Sequence, residues 1–193
     1  MKVSFKASLV GYPIIIKQGA NKDNQNNYIS SFVELDTQNE ADYEALRKIA
    51  LDWGKETSLA VDLFDNFSVD RHKVRHLYPT GLKNIKIKYF ALLKQDKPPS
   101  NELDADSIIG ITSFMEETDK TYTIRQLQTH PKHMRGKPNR DFKHIGEAML
   151  KSLISIIKNT NIKVVPLDKN AEVFYEKYNF QKIPHSDFMK LKF

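Results

Sequence analysis

Between residues 121 and 150 the sequence sets a β-rich stretch, Thr121 to Thr129, ahead of a basic stretch with Lys132, Arg135, Lys137 and Arg140. The run Lys143-His144-Ile145-Gly146-Glu147-Ala148 follows. From there Ile145, Met149, Leu153 and Ile156, with Leu150, Ile154 and Ile157 beside them, recur at helical spacing, which predicts a widely buried helix from Ile145 to about Lys158. The first amides of a helix lack an intrahelical partner and sit at the positive end of its dipole. Gly146 and Ala148 leave that end uncrowded, so the chemistry on offer is phosphate binding by the N–H groups of Ile145 to Ala148. Lys143, Arg140, Lys137 and Arg135 add positive charge nearby. By itself Lys143-x-x-Gly146-x-Ala148 equally suits close helix packing, and its flanks must decide.

Three blocks in order supply that context. Leu127-Gln128-Thr129-His130-Pro131 reads as a strand closed by proline. Lys143 to Leu150 is the helix mouth, and Asn170-Ala171-Glu172-Val173-Phe174-Tyr175-Glu176-Lys177-Tyr178-Asn179-Phe180 is a short helix carrying an aromatic pair. Together they resemble the Gcn5-related N-acetyltransferase (GNAT) superfamily: its fourth strand, its Arg/Gln-x-x-Gly-x-Gly/Ala acyl-CoA signature, and its Asn-x-x-Ala-x-x-Phe-Tyr-x-x-x-Gly-Phe block with a shifted Ala. The resemblance runs over roughly Ile85 to Phe193.

It implies acetyl-CoA as cofactor and transfer of its acetyl group to an amine. Leu127, Gln128 and Thr129 would meet the pantetheine arm along a strand edge. Arg140, Lys143, His144, Ile145, Gly146, Glu147 and Ala148 would hold the pyrophosphate, and Asn170 and Phe174 would line the arm. Tyr175 would protonate the departing thiolate. Where many relatives carry a fourth-strand Glu as base, this sequence has Arg125-Gln126, so Glu116, Glu117 and His130 are the candidates, with a water chain as the alternative. Lys143 stands for Arg or Gln, and Asn179 for a Gly, which Asn can replace at positive φ. Small-molecule amines, protein amines and aminoacyl-tRNA all fit as acceptors. The second reading is a catalytically weak module of the same fold that holds nucleic acid or a protein through its basic surface.

The elements that must position these residues alternate strand and helix. Val3 to Leu9 and Ile14 to Lys17 read as strands, Gly19 to Asn27 as a polar loop. Thr37-Gln38-Asn39-Glu40 has the form of a capping box ahead of a helix ending at Trp53-Gly54. Leu59 to Phe67 suggests a second helix. Ile85 to Lys94, Ser107 to Glu116 and Thr121 to Thr129 form an antiparallel meander, and Pro131 to Lys143 is a basic loop with little to bury. After the long helix come a strand at Ile162 to Leu167, a helix Ala171 to Tyr178 capped by Asn170, and a closing hairpin from Phe180. The expectation is one α/β (α+β) domain over 1–193, a mostly antiparallel mixed sheet flanked by helices. Residues 1–84 would serve the acceptor and 85–193 acetyl-CoA.

Composition narrows the classes further. The 193 residues contain no cysteine, which excludes disulfide scaffolds and thiolate chemistry and suits a reducing, cytoplasmic compartment. Thirty Lys and Arg against 24 Asp and Glu give +6, a modest bias toward anionic partners such as a phosphorylated cofactor, tRNA or other nucleic acid. No apolar run approaches a membrane span, and the start does not read as a secretory signal. His72-x-x-x-His76 lacks an acidic third ligand and sits among Arg71, Lys73 and Arg75, a solvated basic face rather than a zinc site. The sequence carries no P-loop, nucleophile elbow or kinase signature, and leaves oligomeric state open, a dimer included.

Overall fold

The computed structural model describes residues 8–10, 14–19, 26–72, 86–94, 103–117, 119–137, 140–157 and 161–192. Ten strands and four helices follow the chain as β1 (Ser8–Leu9), β2 (Ile14–Gln18), β3 (Asn26–Leu35), α1 (Glu40–Trp53), α2 (Leu59–Arg71), β4 (Lys86–Leu93), β5 (Ile108–Glu116) and β6 (Thr121–Thr129). Then come β7 (Phe142–Lys143), α3 (Ile145–Ile157), β8 (Asn161–Val164), α4 (Lys169–Glu176), β9 (Phe180–Lys182) and β10 (Met189–Leu191). They build one mixed sheet in the order β7-β2-β3-β4-β5-β6-β8-β10-β9, with β1 also on β3. Every pairing is antiparallel except β6 with β8, whose crossover is α3.

The central strands are apolar on both faces because helices cover both. Along β4, Tyr89, Ala91 and Leu93 point to a core closed by Leu46, Ile49 and Trp53 of α1 and Leu63 and Phe67 of α2. Phe90 and Leu92 point the other way, to Met149, Leu150 and Leu153 of α3 and Tyr175 of α4. The α1/α2 layer and the α3/α4 layer thus sandwich the sheet. Among the described residues no helix is long and apolar enough to cross a membrane.

Three local expectations are corrected. The cap of α1 is Asn39, whose side chain accepts from Ala41 and Asp42 N–H, not Thr37. The stretch to Leu35 holds a ten-residue strand, β3, that the sequence reading passed over. The basic loop after Pro131 is not all solvent: Pro131, His133, Phe142 and Lys143 are buried, and β7 pairs with β2. The expected strand before Ser8, the turn at 78–81, residues 73–76 of the basic segment and the boundary at 84 lie outside the described residues.

Candidate active site

The site begins with a defect in β6. Ser113 of β5 faces Gln126, yet its neighbour Phe114 faces Ile124, so Arg125 is an extra residue on β6, a bulge that bends the strand. On its other side β6 pairs with β8 only from Thr121 to Ile124. Beyond the bulge the edge of β6 is open. Main-chain direction alternates along a strand, and His130 N–H donates to Ile109 O at 2.9 Å, toward β5. Gln128 and Gln126 share that direction, and the peptide groups of Leu127 and Thr129 therefore face the gap.

The N-terminus of α3 sits at this gap. Ala148 N–H donates to His144 O at 2.9 Å, which closes the first turn and leaves the amides of Ile145, Gly146 and Glu147 without intrahelical acceptors. Ala148 therefore leaves the anion-binding set proposed from sequence. His144 has φ 64, a left-handed conformation that favours glycine. Placing the signature's first Gly at His144 and its second at Gly146 shifts the register by two residues from that read in the sequence. A Cβ on Gly146 would lie 3.5 Å from Leu127 Cδ2 and 3.6 Å from Phe174 Cζ, so the turn is wedged between β6 and α4 with little side chain in the way.

A cavity of about 580 Å³ runs past the open edge, from the first turn of α3 and α4 to the α1–α2 connection. Its basic wall has Arg135, Arg140, Lys143 and Lys177, and its one carboxylate among the described residues is Glu147. Hydrogen bonds from Lys151 first, then His144 and Tyr178, hold the Glu147 carboxyl at about 2. Burial and the Glu147 charge push the Tyr178 phenol up to about 12. At the other end stand Thr57, Leu59, Gln128, His133 and Met134. Gln128 is 4% exposed, and both polar atoms of its amide are buried without a partner among the described residues. The His133 Nδ1 is in the same state. Burial, then the neighbouring His130, lowers the His133 imidazole to about 4, so it is neutral at physiological pH. The His130 ring lies between Trp53 and His133, with centroids at 4.8 Å and 5.4 Å. Leaving a buried polar group unmet costs about 1–3 kcal/mol, so the Gln128 end of the cavity favours a ligand able to satisfy it.

The structure brings Leu127, Gln128, Thr129, Arg140, Lys143, His144, Ile145, Gly146, Glu147 and Phe174 to one cavity. It does not bring Asn170, which is exposed in the first turn of α4; the cap there is Asp168, accepting from Ala171 N–H at 2.8 Å. Counting the family block back from Phe180 puts its Asn at Asp168 and its Ala at Ala171 with no shift. Glu116 and Glu117 are at the wrong end of the sheet. Glu116 faces Tyr122, about 20 Å or more along β6 from Thr129. Glu117 accepts from the Thr123 hydroxyl at 2.5 Å. Tyr175 is buried behind the wall, against Phe174 and Phe180, and the tyrosine that lines the cavity is Tyr178. The side chains of Gln128 and His133 belong to no sequence motif; only the polar residue types on a strand and in the turn after it point to them.

No family model matches this sequence, and no curated protein does. Solved structures do. The PaiA N-acetyltransferase from Thermoplasma acidophilum in complex with coenzyme A superposes with a TM-score of 0.53 at 14% identity, covering 85% of this chain and 99% of that one. The chain has the GNAT fold. An acetyltransferase of the GNAT family from Staphylococcus aureus Mu50 gives 0.52 at 14% identity, covering 84% and 98%. An AtaT mutant toxin bound to the C-terminus of the antitoxin AtaR and acetyl-CoA gives 0.51 at 12%, covering 84% and 92%. In GNAT terms, the gap between β6 and β8 is the opening of the sheet and α3 the helix that follows its fourth central strand.

Proposed function

We propose that this chain transfers an acetyl group from acetyl-CoA to a primary amine by direct attack in a ternary complex. The observation that carries the reading is the open edge of β6 beyond the Arg125 bulge with the free amides of α3 at its mouth. Structural neighbours crystallised with coenzyme A or acetyl-CoA support the same choice of ligand. Bound acetyl-CoA supplies an activated thioester.

The chain's own groups then have these tasks. The amides of Ile145, Gly146 and Glu147 bind pyrophosphate, with Arg140 and Lys143 in the same wall. The peptide groups of Leu127 and Thr129 align the pantetheine as an added strand would. The Leu127 N–H, facing the gap, is the donor for the oxyanion as the amine nitrogen bonds to the acetyl carbon and the C–S bond breaks. Gln128, whose amide points to β5, is not. Tyr175 sits behind the cavity wall and Tyr178 donates to Glu147, so the thiolate takes its proton from water. The amine's proton leaves through water, since Glu116 and Glu117 are remote. Small-molecule amines, protein amines and aminoacyl-tRNA remain the acceptor classes.

Free thiol released from acetyl-CoA in the presence of a panel of amines tests the reading. Release that depends on the amine is expected. Release at the rate of acetyl-CoA hydrolysis alone, whatever the amine, would remove the assignment.

A further inference from the structure

Among the described residues, Gln128 and His133 are the side chains of the cavity wall whose buried polar atoms lack partners. Their position gives this a meaning. Gln126 and Gln128 point to the same face of the sheet, toward α1 and α2, as their opposite residues Ser113 and Ile111 show. The Gln126 amide oxygen accepts from the Ser113 hydroxyl, but Gln128 stands opposite the apolar Ile111 and its amide has no partner among the described residues. Its idle donor and idle acceptor are carried by the residue between the strand positions, Leu127 and Thr129, whose peptide groups face the thioester in the proposed reaction.

An idle primary amide is complemented by a ligand that offers a donor and an acceptor side by side. An amine beside a carbonyl does this; the amine of an alkyl chain or a lysine side chain does not. Charge argues the same way. Among the described residues the wall's single carboxylate, Glu147, is bound by Lys151 and His144 at the α3 end, and the wall otherwise carries Arg135, Arg140, Lys143 and Lys177. Nothing there balances an ammonium, so the acceptor must enter as free base, which an α-amine with pKa about 8 supplies far better than a side-chain amine near about 10.4.

We infer that the acceptor of the proposed acetyl transfer is an α-aminoacyl group, an amino-acid amide or ester or the first residue of a chain, read by the Gln128 amide with His133 beside it. The inference rests on the acetyl-transfer reading. Its test compares alaninamide with n-propylamine by thiol release, with kcat/KM expressed per free amine so that basicity cancels. The wild type favours alaninamide by about tenfold or more, the worth of a matched hydrogen-bonded pair. Gln128→Met, close in volume, brings the ratio near unity while its acetyl-CoA affinity stays within about twofold. Equal rates in the wild type, which needs no variant, or a ratio unchanged in Gln128→Met would overturn the inference and leave acetyl transfer standing. No amine-dependent thiol with either compound would overturn both.

Discussion

The rings of Tyr175 and Phe180 meet edge on with centroids 5.4 Å apart, and this contact seats the phenol in the core while its hydroxyl finds no acceptor among the described residues. Burial pushes its pKa well above the ordinary phenol value, so it stays protonated across the working pH range. Tyr175→Phe removes only an unpartnered oxygen and leaves stability and acetyl-CoA affinity near wild type. Turnover also stays near wild type, because the hydroxyl lies behind the cavity wall and the tyrosine that lines the cavity is Tyr178. Pre-steady-state thiol release, which isolates the chemical step, checks it; a fall of roughly 100-fold would make Tyr175 the acid that protonates the thiolate.

Asn179 follows α4 with φ 65 and donates its N–H to Glu176 O at 3.1 Å. Glycine at this position avoids the Cβ clash, and a β-branched residue meets it in full. Asn179→Gly is expected to hold or raise stability by a few tenths of a kcal/mol, and Asn179→Val to lower it by about 1–2 kcal/mol. Urea midpoints of the two variants measure this, and equal midpoints would contradict it.

Asp42, fully buried in the first turn of α1, accepts from Asp36 N–H at 2.8 Å through Oδ2, while Oδ1 is unpartnered. Burial raises its carboxyl to about 6 from 3.8. The folded state therefore holds this proton more tightly than the unfolded chain, and the ionised group destabilises above about 6, a cost that disappears as pH falls toward 3.8. Asp42→Asn keeps an acceptor for Asp36 and should stabilise by about 1–2 kcal/mol near neutrality, less than the full shift because a helix N-terminus favours the charge. The gain should shrink on acidification. Denaturation at neutral and mildly acidic pH checks it, and a gain independent of pH would show that Asp42 is not the cause.

The central meander and α3 were legible because their signals are local. Ile108 to Glu116 and Thr121 to Thr129 alternate around a tight turn, and Ile145 to Ile157 keeps helical period throughout. The cavity's basic wall was legible too, as lysine and arginine have little use in a core. β3 was missed although Tyr28, Ile29, Phe32, Val33 and Leu35 are strand formers, since Asn26 and Asn27 at its start look like loop and the strand is long. The start of α4 was misplaced because Asp168 and Asn170 are both good caps, and only geometry chooses between them. Glu116 and Glu117 suit a general base by residue type alone, which says nothing of which end of a strand meets the cofactor. The Arg125 bulge has no sequence signature, yet it opens the sheet.

Calorimetric titration of acetyl-CoA into wild type, Gly146→Ala and Gly146→Asp measures whether the pyrophosphate lies at the first turn of α3. A Cβ on Gly146 meets Leu127 and Phe174 at ordinary contact distances, so Gly146→Ala should fold and bind nearly as wild type. Gly146→Asp sets a negative charge among the free amides of α3, and its affinity should fall by about tenfold or more. A folded Gly146→Asp that binds acetyl-CoA as tightly as wild type would show that the phosphates lie elsewhere, and the cleft beside β6 would lose its assignment.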